Sequence, residues 1–200
     1  MKAGIDWVHD RLKDFVKPGF IAFDVGAHKG HYTEKLLELV GDSGKVMSFE
    51  LNPDNYRVMV QKIRNSNVEL NNVAVSDNDG EENYYKGADS FTGNIVGHST
   101  SYKKNVRAGK IPSLRLDTVY PDLRIDFIKI DVEGAELKVL EGCKGIMKNI
   151  MNMLVECHFD KDWPELRDVV LGEFKARDLL SGELINRDSK RPFQCLCWRE

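Results

Sequence analysis

Short apolar runs alternate along this chain with stretches whose apolar residues recur every three or four positions. Residues 20–25 form the first run and predict a buried strand. In the next segment, 31–40, Tyr32, Leu36, Leu37 and Val40 share one face of a helix, which Gly41 and Gly44 end. Residues 45–50 predict a second strand. Asn52 stands as a helix cap before Pro53, and that helix runs to about residue 65. A third strand is predicted over 68–75, followed by the turn Asp77-Asn78-Asp79-Gly80. Residues 82–86 and 113–116 read as short strands pairing as an added ribbon, with a polar loop over 87–110 between them. The theme then repeats: a strand over 126–131, a helix from Ala135 ended by Gly142, a strand over 150–157, a helix over 164–180 and a last strand over 194–198. This alternation predicts an α/β fold, doubly wound, with a mostly parallel sheet and helices on both faces.

Composition narrows the partners more than the fold. At 200 residues and without a dividing linker, the chain reads as one domain, 1–200. Residues 1–18 read as a charged amphipathic N-terminal helix, with Trp7, Val8, Leu12 and Phe15 at helical spacing, rather than as a signal peptide. No run approaches the roughly 18 apolar residues of a membrane span. A net charge of −3 gives no support to a broad phosphate-binding surface, so a nucleic-acid partner is not expected. The basic cluster Lys103, Lys104, Arg107 and Lys110 reads as a solvated loop. The four cysteines lack a zinc-like pair and read as reduced thiols, which places the protein in the cytoplasm. A loop as long as 87–112 in a compact domain is a candidate lid over a substrate. Phe91 and Tyr102 would serve there against a sugar face or a cofactor.

The chemistry begins at the end of the first strand, in Asp24-Val25-Gly26-Ala27-His28-Lys29-Gly30. Glycines here let the backbone approach a ligand, and Glu50, ending the second strand, can accept hydrogen bonds from ribose hydroxyls. A dinucleotide site would show Gly-x-Gly-x-x-Gly and hold a pyrophosphate. An aspartate beside the first glycine repels a pyrophosphate and suits a ligand carrying an ammonium group. S-adenosylmethionine (SAM), with its amino-acid end, sulfonium and adenosine, meets both requirements, which disfavours a nicotinamide dehydrogenase.

The turn, together with Phe49-Glu50-Leu51-Asn52-Pro53, Asn72-Val73-Ala74-Val75-Ser76-Asp77 and Ile128-Lys129-Ile130-Asp131-Val132-Glu133-Gly134-Ala135-Glu136, resembles the FkbM-type SAM-dependent methyltransferases. The resemblance spans residues 20–156. It implies a seven-stranded Rossmann-like sheet with a reversed last strand, and O-methylation of hydroxyls on sugars or natural products. It also implies that Asp24, Gly26, Ala27, Gly30 and Thr33 surround the methionine part. Glu50 would hold the ribose, and Leu51 or Asn52 would lie near the adenine. Ala74, Val75 and Ser76 would supply backbone and edge contacts to the adenine, and Asp131 would lie beside the methyl donor. The sequence departs from the family at His28, where the family often has Asn, and in the C-terminal part, which carries no family signature.

A hydroxyl nucleophile benefits from a base or a metal. The candidates are the strand-end groups Asp131, Glu133, Glu156 and His158, and near neutral pH His158 is the natural proton acceptor. The same four residues could hold a divalent cation through oxygen and imidazole ligands. Glu136 reads as an acid complementing a helix dipole, Tyr32 as core, and His28 and His31 as surface residues. The expected acceptor is a small molecule with a hydroxyl, including a glycan. A non-catalytic SAM-binding protein and a methyltransferase acting on a macromolecule are the alternatives; for a nucleobase amine the Asn-Pro-Pro-Tyr type of motif is missing.

Overall fold

Seven strands build the central sheet of the computed structural model, which describes residues 11–86, 93–96 and 106–199. β1 (Ile21–Val25) leads through the glycine turn into α1 (His31–Val40), and β2 (Lys45–Phe49) leads into α2 (Pro53–Lys62). Asn52 caps α2 as its sequence predicts, accepting the Asp54 N–H at 3.0 Å. β3 (Val68–Asn71) is followed by β4 (Ala74–Val75), β5 (Gly80–Lys86), β6 (Gly93–Asn94), β7 (Val106–Leu114) and the short helix α3 (Leu116–Val119). β8 (Ile125–Ile130), α4 (Glu136–Gly142), a 3₁₀ turn (Lys144–Asn149), β9 (Ile150–Glu156), α5 (Trp163–Glu173), β10 (Lys175–Asp178) and β11 (Gln194–Trp198) complete the chain.

The order across the sheet is β10-β11-β9-β8-β1-β2-β3. β11 runs antiparallel to both neighbours and the other pairs are parallel. Leu12, Val16, Leu36, Val40, Phe127 and Leu154 pack on one face. The larger core, including Phe23, Phe49, Ile128, Val139, Met153 and Leu166, fills the other. Such apolar burial on both faces is what a mostly parallel sheet requires. No helix among the described residues is long and apolar enough to cross a membrane.

Three segments depart from the sequence-based expectation. The strand expected over 68–75 breaks in two. Asn72 Nδ2 donates to the Glu50 and Leu51 carbonyls at 2.7 and 3.2 Å, and the chain leaves the main sheet there. Ala74 and Val75 then pair with β7 in a second sheet, ordered β4-β7-β5-β6. The ribbon of β5 and β7 forms, but β7 begins at Val106 and so takes in residues expected as loop. Of the expected lid, 87–112, residues 93–94 form β6, 106–112 belong to β7, and most of the remainder lies outside the described residues, as do residues 1–10 of the expected N-terminal helix. The helix expected over 164–180 stops at Glu173. Phe174 and Ala176 are buried, Lys175 between them is exposed, and the segment pairs with β11 as the seventh strand. Pairing at the sheet edge outweighs local helical preference there.

Candidate active site

A cavity of about 540 Å³ opens at the carboxyl ends of β1, β2 and β8. In open α/β sheets, ligands collect at this edge. Among its lining residues are Gly26, Ala27, Glu50, Leu51, Asp131 and Glu133. Gly26 has φ 80°, and a Cβ there would stand 1.8 Å from the Asp131 carbonyl oxygen. Only glycine lets β1 turn this close to the end of β8.

The remaining cofactor candidates stand behind this lining. Asp24 and Thr33 are completely buried, with Thr33 Oγ1 donating to Asp24 Oδ2 at 2.7 Å and lying 2.9 Å from Ser48 Oγ. Gly30 caps the N-terminus of α1, and Asn52 is buried as the cap of α2. Ala74 and Val75 line a small apolar recess that shares Gly26, Leu51 and Val132 with the cavity. Ser76 is buried elsewhere, its Oγ 3.0 Å from both Asp77 Oδ1 and Glu82 Oε1.

Glu50 also lines the cavity and is almost fully buried. It accepts the His28 N–H at 2.6 Å and the Asn52 N–H at 2.7 Å. Burial pushes its carboxyl up to about 7, against the pull of these donors, the Asn55 amide and the Lys129 charge. His28 itself has φ 53°. Asn is among the non-glycine residues most at ease in that left-handed region, and it is Asn that the family often carries. The group that reaches Glu50 is the main-chain N–H, which both residues supply.

Sequence reasoning passed over Lys129, a lysine in the middle of an apolar strand. It faces Asp24 across the β1–β8 register and is buried. Its ammonium donates to the Gly26 carbonyl at 2.8 Å, lies 3.4 Å from Asp24 Oδ1 and 3.2 Å from Asp131 Oδ2, and sits 4.9 Å from the Tyr32 ring centroid. Burial works against the charge, but Asp131 and Asp24 more than restore it, so the ammonium stays protonated. A charged residue flanked on both sides by isoleucines in the interior of a strand was the available signal. Tyr32, expected as core, lines the cavity, and His28 and His31 are exposed at its rim.

Beside Asp131 lies a second cluster. His158 Nε2 is 3.4 Å from Glu156 Oε1 and 3.7 Å from both Asp131 Oδ1 and Glu133 Oε2, while Nδ1 is 2.7 Å from Glu136 Oε1. The structure thus brings together all four acceptor-side candidates and adds Glu136. Burial opposes a charge on His158. The hydrogen bond and charge of Glu136, with Glu133 and Asp131, outweigh it and raise the imidazole to about 9. Burial and the Asp131 charge push Glu156 up to about 7. Glu133 holds the left-handed φ of 55°, a strain of the kind found at functional turns. Asp131, Glu156 and His158 each bring one potential metal-ligating atom within 4.8 Å of the others. Gln194, from the C-terminal strand without family signature, donates to Glu156 Oε2 at 3.0 Å and hydrogen-bonds Tyr32, tying this cluster to the cavity.

Among solved structures, the fold is similar to the methyltransferase FkbM from Methylobacillus flagellatus KT: TM-score 0.60 at 16% identity, over 96% of this chain and 50% of that one. It is similar to a SAM-dependent O-methyltransferase from Thermotoga maritima, with TM-score 0.55 at 11% identity over 97% and 63% of the two chains. An rRNA methylase from Streptococcus thermophilus gives TM-score 0.53 at 13% identity over 98% and 95%. No curated protein matches the sequence. Residues 24–177 match the model of the methyltransferase FkbM domain, a span that runs from the buried aspartate of the glycine turn through the His158 cluster into β10, and the chain therefore belongs to the FkbM methyltransferase family.

Proposed function

We propose that this protein is a SAM-dependent methyltransferase that methylates a hydroxyl on a sugar or another small polar acceptor, as one domain over residues 1–200. The observation that carries the reading is Glu50, a buried carboxylate at the end of β2 that lines a cavity and whose oxygens are held by two main-chain N–H groups. A carboxylate so fixed is suited to accept hydrogen bonds from the two ribose hydroxyls. Gly26 and Ala27 give the methionyl part close approach to the main chain, over the framework of Asp24, Thr33 and Gly30. Leu51 with Ala74 and Val75 forms the adenine side, while Asn52 and Ser76 are buried away from it. The small apolar recess that Ala74 and Val75 line supports that end of the assignment.

When bound, SAM supplies a methyl group made electrophilic by its sulfonium. The protein's part is to orient the acceptor in line, exclude water and take up a proton. Asp131 and Glu133 line the cavity on the side of the His158 cluster and are placed to receive acceptor hydroxyls. Both ring nitrogens of His158 face carboxylates, which favours the cation at neutral pH. The proton-accepting role then falls to Glu156, whose carboxyl is pushed up to about 7, near the pH at which a general base works best. Asp131, Glu156 and His158 could instead hold a divalent cation, which would supply a Lewis acid for the same hydroxyl. The four cysteines are free and buried, which supports a reducing compartment, the cytoplasm.

Isothermal titration with SAM and with S-adenosylhomocysteine tests the cofactor. Micromolar binding, weakened by about 1–3 kcal/mol in Glu50→Ala, is the expected result for loss of charged hydrogen bonds. No binding of either ligand by folded protein overturns it. Acceptor screens with Mg²⁺ and with a chelator then separate the base from the metal reading. Methylation of RNA but of no small acceptor would favour a macromolecular substrate.

A further inference from the structure

We infer that Glu136 is a positioning residue for His158, holding the imidazole by Nδ1 so that Nε2 is turned toward Glu156 and Asp131. This rests on the proposed acceptor side of the methyltransferase site. An acid in the first turn of a helix is ordinarily explained by the helix dipole, which acts on an exposed side chain and needs no side-chain partner. Glu136 is 3% exposed. Its Oε1 lies 2.7 Å from His158 Nδ1 and accepts the Gly134 N–H at 3.0 Å, so the carboxylate is fixed from two sides.

The contact belongs to an interlock between two segments far apart in sequence. Gly134 carries φ 97°, and a Cβ on it would stand 2.0 Å from the Phe159 ring. Phe159 therefore packs against the turn that enters α4, while His158, the preceding residue, is held by the first residue of α4. With Nδ1 engaged, the imidazole has one nitrogen left to present, and it faces Glu156, Asp131 and Glu133 at 3.4, 3.7 and 3.7 Å. A carboxylate on the far nitrogen of a working histidine fixes the ring's orientation and tautomer, whether the near nitrogen serves a proton or a metal. Glu136 does not line the cavity, so its influence on chemistry passes through His158.

Imidazole NMR on ¹⁵N-histidine-labelled protein tests this directly, comparing the wild type with Glu136→Gln and Glu136→Ala. His158→Gln identifies the resonances among those of the five histidines. The expected wild-type signature is a downfield, hydrogen-bonded Nδ1–H on His158. It should shift in Glu136→Gln and vanish in Glu136→Ala, with the other histidines unmoved. His158 signals unchanged in either variant overturn the inference, even if the variant melts at a lower temperature, because a purely structural acid would act on stability alone. Should Glu136→Ala fail to fold, the near-isosteric Glu136→Gln carries the test. Titration of the same proteins with S-adenosylhomocysteine keeps the two readings apart. Binding retained in Glu136→Gln fits a residue outside the cavity. Loss of binding in wild type as well sinks the functional reading without touching the NMR result.

Discussion

The two sides of the site handle buried charge differently. On the donor side one cation, Lys129, lies between two aspartates and a main-chain carbonyl, with Lys129 and Asp24 buried and Asp131 at the cavity lining. On the acceptor side one imidazole meets four carboxylates, and three of those, Asp131, Glu133 and Glu156, keep partial exposure. The donor side has a permanent charge matched to its partners, and it serves as a rigid frame. The acceptor side has more acid than base, with Glu156 pushed up to about 7 and His158 to about 9, so its protonation is adjustable in the range where catalysis runs. Asp131 belongs to both, bonded to Lys129 through one oxygen and facing His158 with the other. On the proposed reading, this pairs a fixed grip for the donor with a titratable receptacle for the acceptor.

The largest effect expected is on the frame. Lys129→Met leaves Asp24 buried without its counter-charge, and breaking a buried pair in this way costs about 3–5 kcal/mol. Urea denaturation measures it, and a loss below about 1 kcal/mol would mean that the donor side is not the rigid element. Next comes Gly26→Ala, which forces a Cβ onto the Asp131 carbonyl at a positive φ. It should lower stability by about 1–3 kcal/mol and abolish SAM binding in titration calorimetry. Binding at wild-type affinity would place the donor elsewhere.

Glu50 sharpens the comparison through pH. Its carboxyl, raised to about 7 by burial, is partly protonated at neutral pH, and on the proposed reading the carboxylate form is the one that accepts from the ribose hydroxyls. SAM binding should therefore release protons at pH 7 and weaken as pH falls from about 8 to 6. Titrations in buffers of different ionisation enthalpy read this release, and Glu50→Gln should remove it. The folded state holds this proton more tightly than the unfolded chain, whose carboxyl has the ordinary value of 4.5. Glu50 thus costs stability progressively as pH rises from 4.5 through about 7, and fully above it. The stability of wild type relative to Glu50→Gln should fall across that window. The smallest effect is expected at Glu133. Glu133→Gly relieves the left-handed backbone and should stabilise the fold by about 0.5–1 kcal/mol while weakening acceptor methylation. A destabilised variant would show that the strain is not stored there.

Much of the frame was legible before folding because it depends on local pattern. Apolar runs place β1, β2, β8 and β9, the first two ended by glycine and by Asn-Pro. Acids at their carboxyl ends, Asp24, Glu50, Asp131 and Glu156, all reach the site's edge of the sheet. What escaped reading depends on pairing. Residues 175–178 carry a helical pattern and become a strand because β11 is there to bond them. Asn72 diverts the chain because the Glu50 and Leu51 carbonyls lie within its reach, so Ala74 and Val75 end in the second sheet. Lys129 could be seen as anomalous but not explained, since its partners come from β1, the glycine turn and the end of its own strand.

By itself, then, the sequence determined the strand–helix alternation, the glycine turn with its acid, and the set of titratable groups at the strand ends. These follow from periodicity and backbone sterics, which act over a few residues. Only the tertiary structure decided which of those groups meet. The separations of 22 positions from Glu136 to His158 and of 38 from Glu156 to Gln194 are closed by sheet register and helix packing. Burial, also a property of the assembled fold, sets the protonation of Glu50, Glu156 and His158, because the cost of a charge depends on what surrounds it rather than on its place in the chain.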